Sequence, residues 1–354
     1  MVSMNPWNCL SWPSLLACLL LCVAAPCRAD DTDTWFKGPA DLRNQRPYQA
    51  LFFQFSPQTP DVLAPHAMRH ALALDDASIL LIPAVHKGEA HVTEDTEVQR
   101  LTYTERRGLG HGLELSAALP LLWRNGGFLD KLTNAYHQAV GLNKPTVDVV
   151  VGRLTLPSYR SILRDIRPDG TTAVDAHPAF GFGDLTLTLK KELLAGRSTA
   201  FSLRAGVKLP TGAPGQYLGS GAADFGLMLD GKRILTRQFG VYLNIGMVWN
   251  GKATHLDNTR ARVAQYILTF ENRATNRTSW TLQFEGGETV YKTGNAFADS
   301  PPRTLTLAYR HLIRPETLMT LAFTENGDIH GYHDPFINNI GPDFVVSAHV
   351  EWRR

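Results

Sequence analysis

The C-terminal segment carries two residues whose types and spacing could support nucleophilic chemistry. Ser347 and His349 lie two positions apart, so that both side chains fall on one face of an extended strand. A barrel hydrolase acting on lipid or lipopolysaccharide needs a serine, a histidine base and an orienting Asn or Asp near the rim. Two polar residues at this spacing also arise by chance on any strand with one polar face. We therefore predict no catalytic residue and keep the lipid hydrolase as an alternative.

A second group of residues could bind a metal ion. The stretch DIHGYHDP contains His330, His333 and Asp334, and imidazole and carboxylate groups are common zinc ligands. These residues lie in a predicted loop that offers no regular scaffold to fix their geometry. We predict no metal site and no cofactor.

A larger set of polar side chains alternates with apolar residues along the chain. If the alternating segments are strands of a barrel, this set faces the lumen, where it could line a path for polar solutes or pair internally and close that path. Barrels of eight strands are filled and those of sixteen or more are open, so about twelve strands predict a narrow or partly plugged lumen. The lumen-lining candidates are Asp184, Lys190, Arg204, Lys208, Asp224, Asp230, Glu271, Arg273, Gln283, Glu285 and Arg310.

The alternation that positions these side chains is clearest in the last twelve residues, DFVVSAHVEWRR. Phe344, Val346, Val350 and Trp352 share one parity, whereas the other parity is mostly polar. A strand projects successive side chains to opposite faces, so this segment predicts one apolar and one polar face. Segments such as TSWTLQFEGG and AFSLRAGVKL repeat the pattern with a period of two.

The same reading along the chain predicts an all-β protein, an antiparallel transmembrane β-barrel of about twelve strands. Most predicted strands have a length that suits a tilted strand crossing a bilayer, which takes roughly 9 to 11 residues. Short connections alternate with long ones, as in outer-membrane barrels. The predicted strands are 67–76, 96–106, 112–122, 181–192, 199–210, 222–233, 239–250, 262–273, 279–291, 303–313, 317–326 and 343–353.

The apolar face is predicted to point outward to lipid. Twelve strands that each sent several large apolar side chains inward would overfill a lumen of this size, because protein interiors pack near crystal density. Aromatic residues near the strand ends then fall where interfacial girdles lie. The girdle candidates are Trp123, Trp249, Trp280, Tyr291 and Trp352.

The organisation of the chain follows from these elements. The apolar run LLACLLLCVAA predicts a signal peptide over residues 1–29, cleaved after Ala29, and all four cysteines lie within it. Residues 30–66 are predicted to lead into the barrel, which occupies residues 67–354. The long insert 123–180 interrupts the strands, and apolar spacing within it predicts one short helix that packs on the rim or folds into the lumen.

Composition excludes some functions. The formal net charge is +2 and the chain has no basic run, which argues against a nucleic-acid partner. After residue 30 no stretch holds about eighteen consecutive apolar residues, so any membrane span would be built from strands.

Three stretches resemble a family of bacterial outer-membrane barrels, the domain-of-unknown-function 3187 family: GPADLRNQRPYQALFFQF, LPLLWRNGGFLDKLTNAYHQAVGL, and GFGDLTLTLKKEL followed by KLPTGAPGQYLGSGAADFGLML. The resemblance spans roughly residues 38 to 354 and departs from the family at NKPTVDVV and at the two arginines after Trp352. It implies a location and an architecture but no substrate and no catalytic residues.

Together these observations predict a barrel in the bacterial outer membrane, of unknown specific role, that could be a narrow channel or transporter for a small molecule. Its expected partners are outer-membrane lipid and lipopolysaccharide, the barrel-assembly machinery through the C-terminal strand, and a small-molecule solute. The alternatives are an outer-membrane barrel enzyme acting on lipid or lipopolysaccharide and a soluble secreted β-sandwich that binds sugar.

Overall fold

The fold is described from a computed structural model of the chain. The described residues are 36–81, 91–129, 161–166, 170–293, 299–326, 342 and 344–353, together with Leu132, Ala135 and Ala139. The predicted signal peptide lies outside this part of the chain.

Fifteen β-strands occur among the described residues, and hydrogen bonds join them into one antiparallel sheet. They are β1 (Met68–Leu81), β2 (His91–Gly110), β3 (Leu113–Asn125), β4 (Ile162–Ile166), β5 (Thr172–Ala176), β6 (Ala179–Phe182), β7 (Leu185–Leu194), β8 (Thr199–Leu209), β9 (Asp224–Ile234), β10 (Phe239–Trp249), β11 (Arg262–Arg273), β12 (Thr278–Gly287), β13 (Arg303–Arg314), β14 (Thr317–Glu325) and β15 (Phe344–Arg353). Two 3-10 turns, Gln49–Leu51 and Pro214–Gln216, are also present.

Twelve of these strands close into a barrel. Each strand pairs with its neighbour in sequence, β3 pairs with β7, and the ring closes between β1 and β15. The predicted all-β fold, a barrel of about twelve antiparallel strands, is therefore confirmed. Because the ring is closed, none of the twelve strands has an unpaired edge. A sheet that spans a membrane must be closed in this way.

The long insert extends the wall beyond the barrel. β6 and β7 are two parts of one broken strand, because both pair with β3. β4 and β5, which the alternation did not predict, form a hairpin that pairs with the start of β2. Of the predicted helix, Leu132, Ala135 and Ala139 are helical, Phe128 and Leu129 at its predicted start lie in a bend and a turn, and the other residues lie outside the described part. None of the helices in the described part is long and apolar enough to span a membrane.

The two ends of the barrel differ in their connections. Short turns such as residues 195–198 and 315–316 lie at one end, here called the short-turn end, and β1 begins and β15 ends there. Longer connections such as residues 210–223 and 250–261 lie at the other end, the long-loop end.

The exterior of the barrel is apolar and its interior is polar. Leu203, Phe284 and Val350 are about 40% exposed, at 41%, 42% and 39%, whereas alternate positions such as Arg204 and Gln283 are almost completely buried. This arrangement is the one predicted from strand parity, and it suits a wall that meets hydrocarbon outside and polar groups inside.

Candidate functional site: the occupied lumen

The lumen contains the protein's own N-terminal segment, residues 36–63, here called the lumenal segment. Its contacts place residue 36 at the short-turn end, the Gln49–Leu51 turn at the long-loop end and residues 59–63 back at the short-turn end. The chain therefore passes through the barrel twice before Met68 begins β1. Most of the segment is buried.

The first anchor of the lumenal segment lies towards the short-turn end. The Glu271 carboxylate on β11 accepts hydrogen bonds from the backbone N–H groups of Lys37 and Gly38, each at 2.8 Å. Nη1 of Arg310 on β13 lies 2.5 Å from the Gly38 carbonyl oxygen and also reaches the carbonyls on either side of it. Charge-assisted hydrogen bonds of this kind are stronger than neutral ones, so two charged wall residues hold the backbone of the segment.

A second anchor lies at the long-loop end. Nε of Arg46 donates to Oε2 of Glu94 on β2 at 2.6 Å, and the Tyr291 hydroxyl donates to Oε1 of the same carboxylate at 2.6 Å. The Arg46 guanidinium also lies 4.6 Å from the centre of the Tyr291 ring. Burial raises the pKa of the Tyr291 phenol well above its ordinary value, so this group is a neutral donor at physiological pH.

Two phenylalanines of the segment pack against a glycine pair in the wall. Phe53 and Phe55 meet edge to face with ring centres 4.6 Å apart, and they cover Gly206 on β8 and its paired neighbour Gly226 on β9. A Cβ atom at Gly226 would lie 2.6 Å from the Phe55 ring and 2.8 Å from the Phe53 ring. The two glycines therefore make the space that the aromatic rings occupy.

Replacing Gly226 by leucine should displace the lumenal segment. The added side chain would overlap both phenylalanine rings, and such overpacking costs about 1 to 3 kcal/mol. We expect Gly226→Leu to raise ion conductance in a planar bilayer above that of the unchanged protein. The matched control is Gly215→Leu, since a Cβ there meets nothing within 4 Å. Equal conductance for both variants would contradict the packing described here.

The returning pass of the segment hydrogen-bonds to the wall through its backbone. Asp224 on β9 accepts the Phe53 N–H at 2.8 Å. Gln265 on β11 pairs with both backbone groups of Phe55, accepting its N–H at 3.0 Å and donating to its carbonyl at 2.7 Å. The side-chain amide of Gln265 thus makes the two hydrogen bonds that a neighbouring strand would make in a sheet. They satisfy backbone groups of Phe55 that would otherwise be buried without partners.

An almost completely buried ion pair of the lumen also holds the segment. Arg204 on β8 forms two 2.8 Å hydrogen bonds with Asp230 on β9, and its Nη1 donates to the Ser56 carbonyl at 2.9 Å. Asn244 on β10 donates to the same Asp230 carboxylate at 2.7 Å. The Arg204 guanidinium lies 5.2 Å from the centre of the Phe55 ring. One cation therefore joins two strands and the segment.

The segment leaves the lumen between two lysines. Nζ of Lys190 on β7 donates to the Asp61 carbonyl at 3.3 Å and pairs with Glu114 on β3 at 3.2 Å. Glu114 accepts the Leu63 N–H at 3.0 Å, and Lys232 on β9 pairs with the Asp61 carboxylate at 2.5 Å. Polar groups of three strands thus fix the chain just before β1 begins.

A further cluster orders the loop between β8 and β9 at the long-loop end. Nζ of Lys208 lies 2.6 Å from Asp184 and 3.3 Å from Asp224. The Asp184 carboxylate also accepts the backbone N–H groups of Gly212 and Ser220. These charged groups therefore bind one another and backbone groups of the loop, and they are not exposed along an open path.

The remaining lumen candidates also lie on the inner face, with different partners. Gln283 accepts a hydrogen bond from Thr269, and Glu285 accepts one from Gln265. Arg273 lies at the last position of β11 and hydrogen-bonds to Asn276 in the following turn. It therefore belongs to the short-turn end rather than to the middle of the lumen.

Four of the five girdle candidates lie on the outer wall. Trp123 and Trp249 are exposed at the long-loop end, and Trp280 is exposed at the short-turn end, where Trp352 also lies. Tyr291 does not face lipid: it is 3% exposed and points inward to Glu94. The reason is that β12 ends at Gly287, four residues before the predicted end of this strand.

Ser347 and His349 do not form a hydrolase arrangement. Both side chains bind one oxygen of Asp75 on β1, Ser347 at 2.6 Å and His349 at 2.9 Å. The other Asp75 oxygen lies 3.3 Å from the side-chain nitrogen of Gln45 in the lumenal segment. The serine proton is directed to a carboxylate rather than to a histidine base, so the group contributes to the packing of the lumen.

The residues considered as possible metal ligands, His330, His333 and Asp334, lie outside the described residues. Within the described part of the chain, no group of three or more His, Cys, Asp and Glu side chains is arranged to hold a metal ion.

The space left beside the segment differs along the lumen. One cavity beside Glu285 and another beside Arg204 each measure about 20 Å³, which is room for about one water molecule. A larger cavity of about 410 Å³ lies at the short-turn end. The segment therefore leaves less space at these two places than at the short-turn end.

A family model described as "Protein of unknown function (DUF3187)" matches residues 14–330. No curated protein matches the chain. Among solved structures, the COG4313 outer membrane channel from Pseudomonas putida F1 is similar, with 11% identity, a TM-score of 0.53 and coverage of 85% of this chain and 100% of that one. The NanC porin is less similar, with 8% identity, a TM-score of 0.44 and coverage of 79% and 98%. The likeness to the first structure shows a shared barrel fold.

Proposed function

The chain belongs to the DUF3187 family, and we propose that it is a narrow channel for a small molecule in the bacterial outer membrane, kept narrow by its own lumenal segment. One observation carries this proposal: a closed barrel with an apolar exterior encloses a polar lumen whose filling is held by hydrogen bonds and ion pairs. The polar contacts of the segment can exchange with water when it moves, and the buried apolar cluster that includes Phe53 and Phe55 closes the path while the segment stays in place.

The wall residues that hold the segment have a specific role in this proposal. Glu271, Arg310, Arg204 and Lys190 bind backbone groups of the segment, and they become the lining of a wider path when it is displaced. Asp184 and Lys208 order a loop at the long-loop end and form the outer part of that path.

Export and membrane insertion belong to the same proposal. Residues 1–29 act as a signal peptide, residues 30–66 are the lumenal segment and its flanks, and residues 67–354 form the barrel. The apolar outer face contacts lipid and lipopolysaccharide, and β15 is recognised by the barrel-assembly machinery. Passage of a small solute is proposed here rather than catalysis, because Ser347 and His349 are both bound to Asp75.

Solute uptake into liposomes tests this function. Vesicles that contain the purified protein are diluted into isosmotic solutions of small solutes of increasing size, and swelling is followed by light scattering. We expect slow swelling with the smallest solutes and none with the larger ones. Rates equal to those of protein-free vesicles, both for the unchanged protein and for Gly226→Leu, would contradict a channel.

A further inference from the structure

The 410 Å³ cavity at the short-turn end is large enough for a small molecule, since ligand sites typically measure about 300 to 1,000 Å³. It lies between the first residues of the lumenal segment and the ends of the surrounding strands. Seven basic and four acidic side chains line it. Three of the four acids, Asp61, Glu114 and Glu351, form ion pairs with bases of the same lining.

One cation of this lining, Lys37, makes no hydrogen bond through its ammonium, although the Glu271 carboxylate attracts its charge. Among the described residues, no hydrogen-bond partner lies within reach of Nζ of Lys37, although this atom is buried. Glu271 is close behind it, but its two oxygens take the backbone N–H groups of Lys37 and Gly38 and the hydroxyl of Tyr242. A buried ammonium without a hydrogen bond is costly, and a water molecule, an ion or a ligand in the cavity would supply the missing bond.

A second donor of the same cavity is also unused. Arg69 on β1 pairs with Glu351 through Nη1 at 3.3 Å, and its buried Nε has no hydrogen-bond partner. Lys37 and Arg69 thus provide spare N–H donors at one cavity. The long stem of a lysine allows the ammonium to turn towards a bound group.

Apolar side chains form another part of the wall of this cavity, among them Phe36, Ile234 and Leu312. A ligand that fits this cavity has one anionic group for the basic side chains and an apolar body for the apolar part of the wall. We propose that this cavity binds small organic monoanions, of which an aromatic carboxylate is the simplest example, with the carboxylate attracted by the cationic lining that includes Lys37 and Arg69. This inference deepens the proposed channel function, because it assigns a solute class to the short-turn end of the lumen.

Binding of 4-fluorobenzoate to the purified full-length protein in detergent tests the inference. Fluorine NMR line broadening measures the affinity, and neutral 4-fluorobenzamide is the matched ligand without charge. We expect the carboxylate to bind and the amide to bind at least about tenfold more weakly, because hydrogen bonds to a charged group are stronger than those to a neutral one. Equal affinities for the two ligands would overturn the proposal.

Variants of the protein locate the site. We expect Lys37→Gln to weaken 4-fluorobenzoate binding by about tenfold or more and Arg69→Gln to weaken it as well. Lys252→Gln, at an exposed position between β10 and β11, should leave the affinity unchanged. Unchanged affinity in Lys37→Gln, or an equal loss in Lys252→Gln, would place the ligand elsewhere and contradict the assignment.

The binding assay is independent of transport. No ion or solute has to cross a membrane in detergent, so a failure of binding leaves the channel proposal standing. Conversely, carboxylate binding without any solute uptake in vesicles would support the site while rejecting the channel.

Discussion

A variant that lacks residues 36–60 is expected to conduct ions about an order of magnitude better than the full-length protein, because a barrel of twelve strands has a lumen wide enough for water once its filling is removed. No strand is lost in this variant, and the ring of strand pairs stays intact. Wall charges such as Glu271, Arg310 and Arg204 lose their contacts with the segment and become hydrated. Single-channel recording in planar bilayers measures the difference.

Closure of the barrel in the deletion variant needs its own control. A folded membrane barrel migrates faster on a gel when the sample is not boiled, so heat-dependent migration shows that the wall is still closed. If this variant keeps heat-dependent migration and conducts no better than the full-length protein, the segment does not determine the width of the lumen.

The second large effect concerns the ion pair between Arg204 and Asp230. Both side chains are almost completely buried. Replacing Arg204 by methionine leaves a buried carboxylate whose remaining hydrogen-bond donors among the described residues are Asn244 and Ser202. Breaking a buried pair in this way typically costs about 3 to 5 kcal/mol. We expect the free energy of unfolding in guanidinium, followed by tryptophan fluorescence, to fall by that amount.

Two further variants separate the charge effect from general damage. The double variant Arg204→Met/Asp230→Leu removes both charges and should regain much of the lost stability, because apolar replacement of a buried pair is often nearly neutral. Arg277→Met, at an exposed turn position, should change stability by less than about 0.5 kcal/mol. A double variant as unstable as Arg204→Met would show that the pair itself does not stabilise the barrel.

The strands could be predicted from the sequence because their signal is local. Alternation with a period of two depends on neighbouring residues, and all twelve predicted segments correspond to strands of the barrel wall. The pairs between consecutive strands also follow, since antiparallel strands joined by short turns usually lie side by side. The prediction failed at Tyr291, where β12 ends early and the chain turns into the lumen.

The occupied lumen could not be predicted in the same way. The segment from residue 36 to 63 has no regular period, and its contacts join distant parts of the chain, as between Gly38 and Arg310, which are 272 residues apart. The sequence held two indirect signs: Gly206 and Gly226 interrupt the polar parity, and the stretch FFQF supplies aromatic rings of the matching volume. Polar residues that face the lumen give the same alternating pattern in the sequence whether water or a peptide segment lies beside them.

Thiol labelling tests most directly whether residues 36–63 lie inside the barrel. All four cysteines lie within residues 1–29, so the exported form that we propose carries none and a single introduced cysteine reports one position. The comparison is between Ser56→Cys, buried in the lumenal segment, and Ser198→Cys, in a turn at the short-turn end. A bulky maleimide should label Ser198→Cys in the folded protein and Ser56→Cys only after boiling, whereas equal labelling of both in the folded protein would contradict the account.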